Sequence, residues 1–212
     1  MRYFDIHTHQ TRLSNPAQAI VSFNAQEAIH PDIPYASTGI HPWLLTESNA
    51  DQQLQSLKIH LEENRVIAIG EAGLDKLKGC PLENQISIFR HEICLSEEYH
   101  LPIIIHCVRA FNELIQLKKE YHPLQSWIIH GFRGKANMAK ELLHHGCYIS
   151  FGENFQSESV RTVPLDKIFI ETDTSETDIA YIFSQIAEIK GISLEELVTA
   201  INRNVEKVFF KR

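Results

Sequence analysis

The 212-residue sequence predicts an α/β protein, a (β/α)8 TIM barrel shortened or distorted at its first two crossovers. Three observations predict it. Eight short runs rich in β-branched residues are bounded by turn residues, segments of helical period separate them from the third run onward, and five of the strands end in histidine or a carboxylate. Alternating strand and helix implies parallel pairing through right-handed crossovers, and eight is the strand count of a closed parallel barrel.

The first strand is expected over residues 3–9, the second over 19–24 and the third over 35–40. The segments between them, residues 10–18 and 25–34, contain proline and polar residues and are too short or broken for regular helices, hence the shortened barrel. Helical patterns then connect the later strands. Residues 50–64 lead to a strand at 66–71, residues 82–100 to one at 102–107, residues 110–121 to one at 126–131, and residues 135–145 to one at 147–152. The eighth strand, 168–173, precedes helices at 177–190 and 194–210. No repeat, low-complexity tract or linker marks a boundary, so residues 1–212 read as a single domain.

Composition narrows the class. Hydrophobic residues make up 43% and charged residues 22%, the balance of an ordinary globular chain. No run approaches the roughly 18 apolar residues of a membrane span, and the first residues do not read as a signal peptide. No membrane association is therefore expected, and the cytoplasm is the default location. Cys80, Cys94, Cys107 and Cys147 form no C-x-x-C pair and read as reduced thiols. A net charge of −7 disfavours broad adhesion to nucleic acid but leaves room for a small phosphorylated substrate held by local cations. No obligate protein partner is evident.

The chemistry sits at the strand ends. His7 and His9 are two apart in a strand, so both imidazoles face one side together with Asp5. Glu71 closes Val66-Ile67-Ala68-Ile69-Gly70-Glu71, His106 closes Pro102-Ile103-Ile104-Ile105-His106, His130 closes Trp127-Ile128-Ile129-His130, and Asp173 closes Ile168-Phe169-Ile170-Glu171-Thr172-Asp173. An ionisable group after an apolar strand is costly in the core but belongs at the C-terminal mouth of a barrel, where catalytic residues converge. Imidazoles and carboxylates without thiolate suit zinc, manganese, iron or nickel. Four histidines and two carboxylates exceed what a mononuclear catalytic site needs. Two cations sharing a carboxylate are favoured, with Glu71 the best bridge.

These motifs also carry a family resemblance. Phe4-Asp5-Ile6-His7-Thr8-His9, Thr38-Gly39-Ile40-His41-Pro42, Ile69-Gly70-Glu71-Ala72-Gly73-Leu74-Asp75 and Leu101-Pro102-Ile103-Ile104-Ile105-His106 occur in order, followed by His130-Gly131-Phe132-Arg133-Gly134, Glu171-Thr172-Asp173 and Asn202-Arg203-Asn204-Val205-Glu206-Lys207-Val208-Phe209. Together they resemble the TatD-related metal-dependent hydrolases over nearly the whole chain. The resemblance implies an amidohydrolase-type barrel, one or two divalent metal ions (zinc, manganese or magnesium) and deoxyribonuclease or other phosphodiester-cleaving activity by metal-activated water. Carried over by position, His7, His9, Glu71 and Asp173 would hold one metal, and Glu71, His106 and His130 the other. Asp173 and Glu71 would be the catalytic residues, Asp173 serving as both ligand and base. The substrate would be a phosphoester, DNA ends or a small phosphodiester.

Departures from the family pattern bear on substrate. The family often places arginine two residues after the fifth-strand histidine, but here Cys107 and Val108 intervene before Arg109. Arg133 likewise lies three residues beyond His130. Both arginines either grip phosphate oxygens or stand as solvated loop residues. Ser175 replaces a usual proline, and Glu176 and Asp178 make that rim acidic. His41 either touches substrate or is a turn histidine. Asp75 reads as a structural anion, and Trp43 and Trp127 as packing unless they line the mouth. The rival readings are a hydrolase of a carboxylic ester, lactone or amide, and a non-catalytic metal- or nucleic-acid-binding protein.

Overall fold

A computed structural model describes residues 2–211. Eight parallel strands pair in sequence order: β1 (Asp5–Thr8), β2 (Ala19–Asn24), β3 (Ala36–Gly39), β4 (Val66–Asp75), β5 (Ile103–Val108), β6 (Trp127–Ile129), β7 (Tyr148–Phe151) and β8 (Ile168–Ile170). The sheet closes through the backbone of Asp173, whose N–H donates to His7 O at 2.9 Å and whose carbonyl accepts from His9 N at 3.0 Å. The closure that joins the first and last strands thus sits at three expected metal-ligand positions, His7, His9 and Asp173. It is a (β/α)8 TIM barrel, as the strand pattern predicts.

Helices α1 (Ala50–Leu61), α2 (Leu82–Tyr99), α3 (Phe111–Tyr121), α4 (Ala136–His144), α5 (Ser157–Thr162), α6 (Ile179–Lys190) and α7 (Leu194–Val205) follow from β3 onward, and one π-helical turn, Glu206–Phe210, extends α7. Between β1 and β2 only the 3-10 turn Pro16–Gln18 forms, and among the described residues the β2–β3 connection has no helix. The sequence accounts for several helix ends. Ser193 accepts from Glu196 N at 3.1 Å in an S-x-x-E start, Asp178 caps α6 through Ala180 N, and Gly191 ends α6 at φ +66°. The six-residue α5 was not anticipated, because a segment that short has no room for helical periodicity to show.

Strand β4 departs most from expectation, running four residues past Glu71 to Asp75. Its register against β5 slips between Ile69 and Ala72, where three steps on β4 match two on β5, so a bulge falls at Gly70-Glu71. Such a bulge re-aims a side chain. Glycine is needed on either side of Glu71. Gly70 lies at φ +143°, where a Cβ would meet Ile104 O at 2.6 Å, and a Cβ on Gly73, at φ +138°, would run into the His106 carbonyl. The backbone holding Glu71 is therefore clamped against the strand that carries His106.

The core is apolar and continuous. Phe4, Ile6, Ile20, Ile104, Phe151, Phe169 and Phe183 are fully buried, and Trp127 packs edge-on against Phe89 at 5.6 Å. Trp127 is a packing residue, as expected. No helix of the described residues is long and apolar enough to cross a membrane.

One buried carboxyl ties a helix to the mouth. Glu92 of α2 accepts Ile40 N–H at 2.8 Å, at the end of β3 and one residue before His41. Burial pushes its pKa from 4.5 up to about 8, against the single backbone hydrogen bond that lowers it. Between these values the folded chain keeps a proton that the unfolded chain has lost, so this group's contribution is full below pH 4.5 and disappears as pH rises toward about 8. Glu92→Gln keeps an acceptor and removes the titration. Urea unfolding in chelator should show the variant gaining on the parent progressively from pH 5 to pH 8; a difference that does not change with pH contradicts this account.

Candidate metal centre

The C-terminal ends of the strands bring the six expected ligands to one mouth. Glu71, only 7% exposed, stands at the centre. Its Oε2 lies 3.4 Å from His7 Nε2 and 3.3 Å from His9 Nε2, and Asp173 Oδ1 lies 3.8 and 3.7 Å from those two nitrogens. Its Oε1 lies 2.7 Å from His106 Nδ1, 2.8 Å from His130 Nε2 and 3.0 Å from His41 Nε2. The two oxygens of one carboxylate thus face separate groups of imidazoles.

The first group has the dimensions of a cation site. Four ligands about 2.0–2.2 Å from a tetrahedral metal stand roughly 3.4 Å apart, close to the separations of His7, His9, Glu71 and Asp173. His7 supplies a second test. It is fully buried, and neither ring nitrogen has a hydrogen-bond partner. An imidazole so placed is costly unless its lone pair meets an electrophile, and Nε2 points to the space between Glu71 and Asp173. The residues present fit a divalent cation.

The second group is oriented from behind. His106 turns Nε2 to Asp75 Oδ2 at 3.2 Å, and His130 turns Nδ1 to Glu171 Oε1 at 3.1 Å. Carboxylates in this position fix ring orientation and raise ligand basicity. Asp75 is itself pinned by Trp43 Nε1 at 2.6 Å and by the backbone N–H groups of Leu77 and Lys78, which makes it the structural anion expected. Glu171, fully buried, also accepts Gly131 N at 2.6 Å.

Charge balance follows. Burial opposes ionisation of Glu71, yet the charge on His130 and hydrogen bonds from His106, His130 and His41 hold its pKa well below the usual carboxylate range. Burial likewise opposes protonation of His130, but Glu71 and Glu171 raise its pKa well above the ordinary value. Burial acts against the charge of His9 as well, and Glu71 and Asp173 raise it. The buried anion thus favours the protonated forms of His9 and His130.

Asp5 does not share this site. The pairing of β1 with β2 slips between Asp5 and Thr8, which breaks the alternation expected to align Asp5 with His7 and His9. Its carboxyl binds Thr172 Oγ1 at 2.6 Å, Thr172 N and His7 N instead, and burial pushes its pKa up to about 7. Asp173 adopts φ +56°, a left-handed conformation held by its two backbone bonds to β1, and its side chain remains 27% exposed.

A cavity of about 740 Å³ opens over the site and includes Arg109, Arg133 and His41 in its lining. Trp43 takes the mouth-lining alternative to packing. It is 43% exposed, lines this cavity and stacks edge-on to His41 at 4.8 Å and His106 at 5.3 Å. The sequence reading also passed over Glu171, although it lies two residues before Asp173, the same spacing that singles out His7 and His9.

Comparison with known proteins places these features in context. A family model described as TatD related DNase matches residues 6–210. An uncharacterized metal-dependent hydrolase of Bacillus subtilis, YabD, is 32% identical over 200 residues, covering 84% of this chain and 78% of that protein. The 3'-5' ssDNA/RNA exonuclease TatD of Erwinia tasmaniensis is 24% identical over 208 residues, covering 85% of this chain and 80% of its own length. The crystal structure of YJJV, a TatD homolog from Escherichia coli K12, superposes with a TM-score of 0.85 at 24% identity, covering 100% of this chain and 99% of the other.

The arrangement separates a shared ligand from a supporting anion. Glu71→Gln should abolish binding of both equivalents of Mn2+ in equilibrium dialysis. Asp75→Asn should weaken one equivalent by about tenfold to a hundredfold, the usual cost of losing a carboxylate behind a ligand histidine. Equal losses in the two variants would remove Glu71 from the shared position.

Proposed function

The chain belongs to the TatD family of metal-dependent hydrolases, and we propose that it cleaves phosphodiesters at nucleic-acid ends or in small molecules through a two-cation site bridged by Glu71. It is a metal-dependent enzyme of phosphoester hydrolysis. The observation that carries the proposal is the division of Glu71, with Oε2 toward His7, His9 and Asp173 and Oε1 toward His106 and His130. Relatives named as nucleases, among them the deoxyribonuclease Tat-D of Schizosaccharomyces pombe, support the substrate class over carbonyl esters and amides. The cytoplasm suits the four free thiols, which a reducing compartment preserves.

Divalent cations, if held by His7, His9, Glu71, His106, His130 and Asp173, would lower the pKa of water toward about 7 and neutralise charge on phosphoryl oxygens. The chain's own groups do the rest. Asp173 is the more exposed of the two central carboxylates and its Oδ1 reaches toward His7 and His9, so it orients the attacking water and takes its proton. Water oxygen bonds to phosphorus, the ester P–O bond breaks, and the departing alkoxide takes up the proton that Asp173 accepted, which returns the carboxylate to its starting state. Arg109 and Arg133 line the cavity from the loops after β5 and β6, where their guanidinium groups are placed to hold non-bridging phosphate oxygens.

Chelation should abolish phosphodiester hydrolysis, and added Mn2+ or Zn2+ should restore it. A hydrogen bond to a charged group contributes about 1.5–3 kcal/mol, so Arg109→Ala or Arg133→Ala should lower kcat/KM for a phosphodiester by about tenfold to a hundredfold. Metal content and turnover of an uncharged ester should change little. Parental phosphodiester turnover in both variants would return the arginines to the solvated rim, and cleavage of the uncharged ester alone would favour carbonyl chemistry.

A further inference from the structure

Three imidazole nitrogens lie within hydrogen-bond distance of one oxygen, Glu71 Oε1, and their chemical roles differ. Distance alone does not separate them. His41, Glu71 and His106 offer ligand atoms all within 4.8 Å of one another, so His41 is as close as a ligand would be. What each ring's other nitrogen meets does separate them, because that contact decides which nitrogen carries the proton.

His106 and His130 each turn the second nitrogen to a carboxylate, Asp75 Oδ2 and Glu171 Oε1. A carboxylate only accepts, so with a cation between these rings and Glu71 each ring would keep its proton on the side of Asp75 or Glu171, and the nitrogen facing Glu71 would be left to present a lone pair to that cation. His41 is built the other way round. Its Nδ1 accepts the backbone N–H of Trp43 at 3.1 Å. A backbone N–H only donates, so Nδ1 holds the lone pair and Nε2 carries the proton. That Nε2 stands 3.0 Å from Glu71 Oε1. The ring is held in place by edge contacts with Trp43 and His106, at 4.8 and 4.7 Å.

We propose that His41 carries its proton on Nε2, donates it to Glu71 Oε1 and fixes the bridging carboxylate, a positioning residue and not a metal ligand. The proposal rests on the reading of Glu71 as the shared ligand. A carboxylate oxygen has two lone pairs. One lone pair of Oε1 serves the cation held with His106 and His130, and the other takes the His41 proton. The carboxylate plane is then set from outside, with Oε2 directed at His7 and His9. Trp43 contributes through its main-chain N–H to His41 and its indole N–H to Asp75, so one residue sets the proton position on two histidines.

The test uses the full chain loaded with Mn2+ or Zn2+ and the variants His41→Leu, His41→Gln and His106→Ala. In equilibrium dialysis, His41→Leu should retain two equivalents of Mn2+, while His106→Ala loses one. With bis(p-nitrophenyl) phosphate, His41→Leu should lower kcat by about tenfold to a hundredfold with a smaller change in KM. His41→Gln, whose side-chain amide can donate from a similar reach, should recover most of that loss. Long-range 1H–15N spectra of the Zn2+-loaded parent should show a proton on His41 Nε2, a readout that needs no variant to fold. Loss of one equivalent in His41→Leu, loss of the Nε2 proton on Zn2+ binding, or no recovery in His41→Gln would overturn the proposal. If His106→Ala also keeps both equivalents, the two-cation reading itself fails and the role of His41 falls with it.

Discussion

A carboxylate withdrawn from water carries a charge that only its neighbours can compensate, and Glu71 is such a group, ringed by five imidazole nitrogens at 2.7 to 3.4 Å. An unpaired buried charge would cost several kcal/mol. The local architecture is organised around meeting that cost. Strand β4 bulges at Gly70-Glu71, glycines on either side admit the close approach of β5, and strands β1, β5 and β6 each bring a histidine to the same mouth, at or just beyond their C-terminal halves. Metal cations answer the same requirement more completely than protons do, because they bring more charge and accept several lone pairs at once.

The barrel makes this convergence inexpensive in chain length. Parallel strands of common direction deliver their C-terminal residues to one end, so candidate ligands 166 residues apart in sequence, His7 and Asp173, become neighbours without any dedicated loop. The same contact closes the sheet, since the main chain of Asp173 binds His7 and His9. Fold closure and ligand placement are therefore one event. Outside this inner ring stand the carboxylates Asp75 and Glu171, which act on the histidines, and His41, which acts on Glu71.

Much of this was legible in the sequence because the signals were local. Apolar β-branched runs locate all eight strands, and an ionisable residue after each of five runs picks out Glu71 and the side chains of His7, His9, His106, His130 and Asp173 that meet it at the mouth, since such residues have few tolerable places beyond a barrel mouth. What escaped depends on registers that period-two counting assumes to be regular. The slip in β1 sends Asp5 to Thr172, and the bulge in β4 carries the strand on to Asp75. For Trp43 the sequence left packing and mouth-lining both open, because its exposed place at the mouth depends on the partner its N–H finds in Asp75, 32 residues away. The role of Glu171 required knowing that His130 Nδ1 faces it, a contact across the ends of β6 and β8.

The central claim is that Glu71 is shared by two cations, and anomalous scattering from crystals soaked in Mn2+ tests it most directly. The account predicts two peaks about 3.5–4 Å apart, one within reach of His7, His9 and Asp173 and the other within reach of His106 and His130, with one Glu71 oxygen directed at each. A single peak, or two peaks that do not share Glu71, would contradict it.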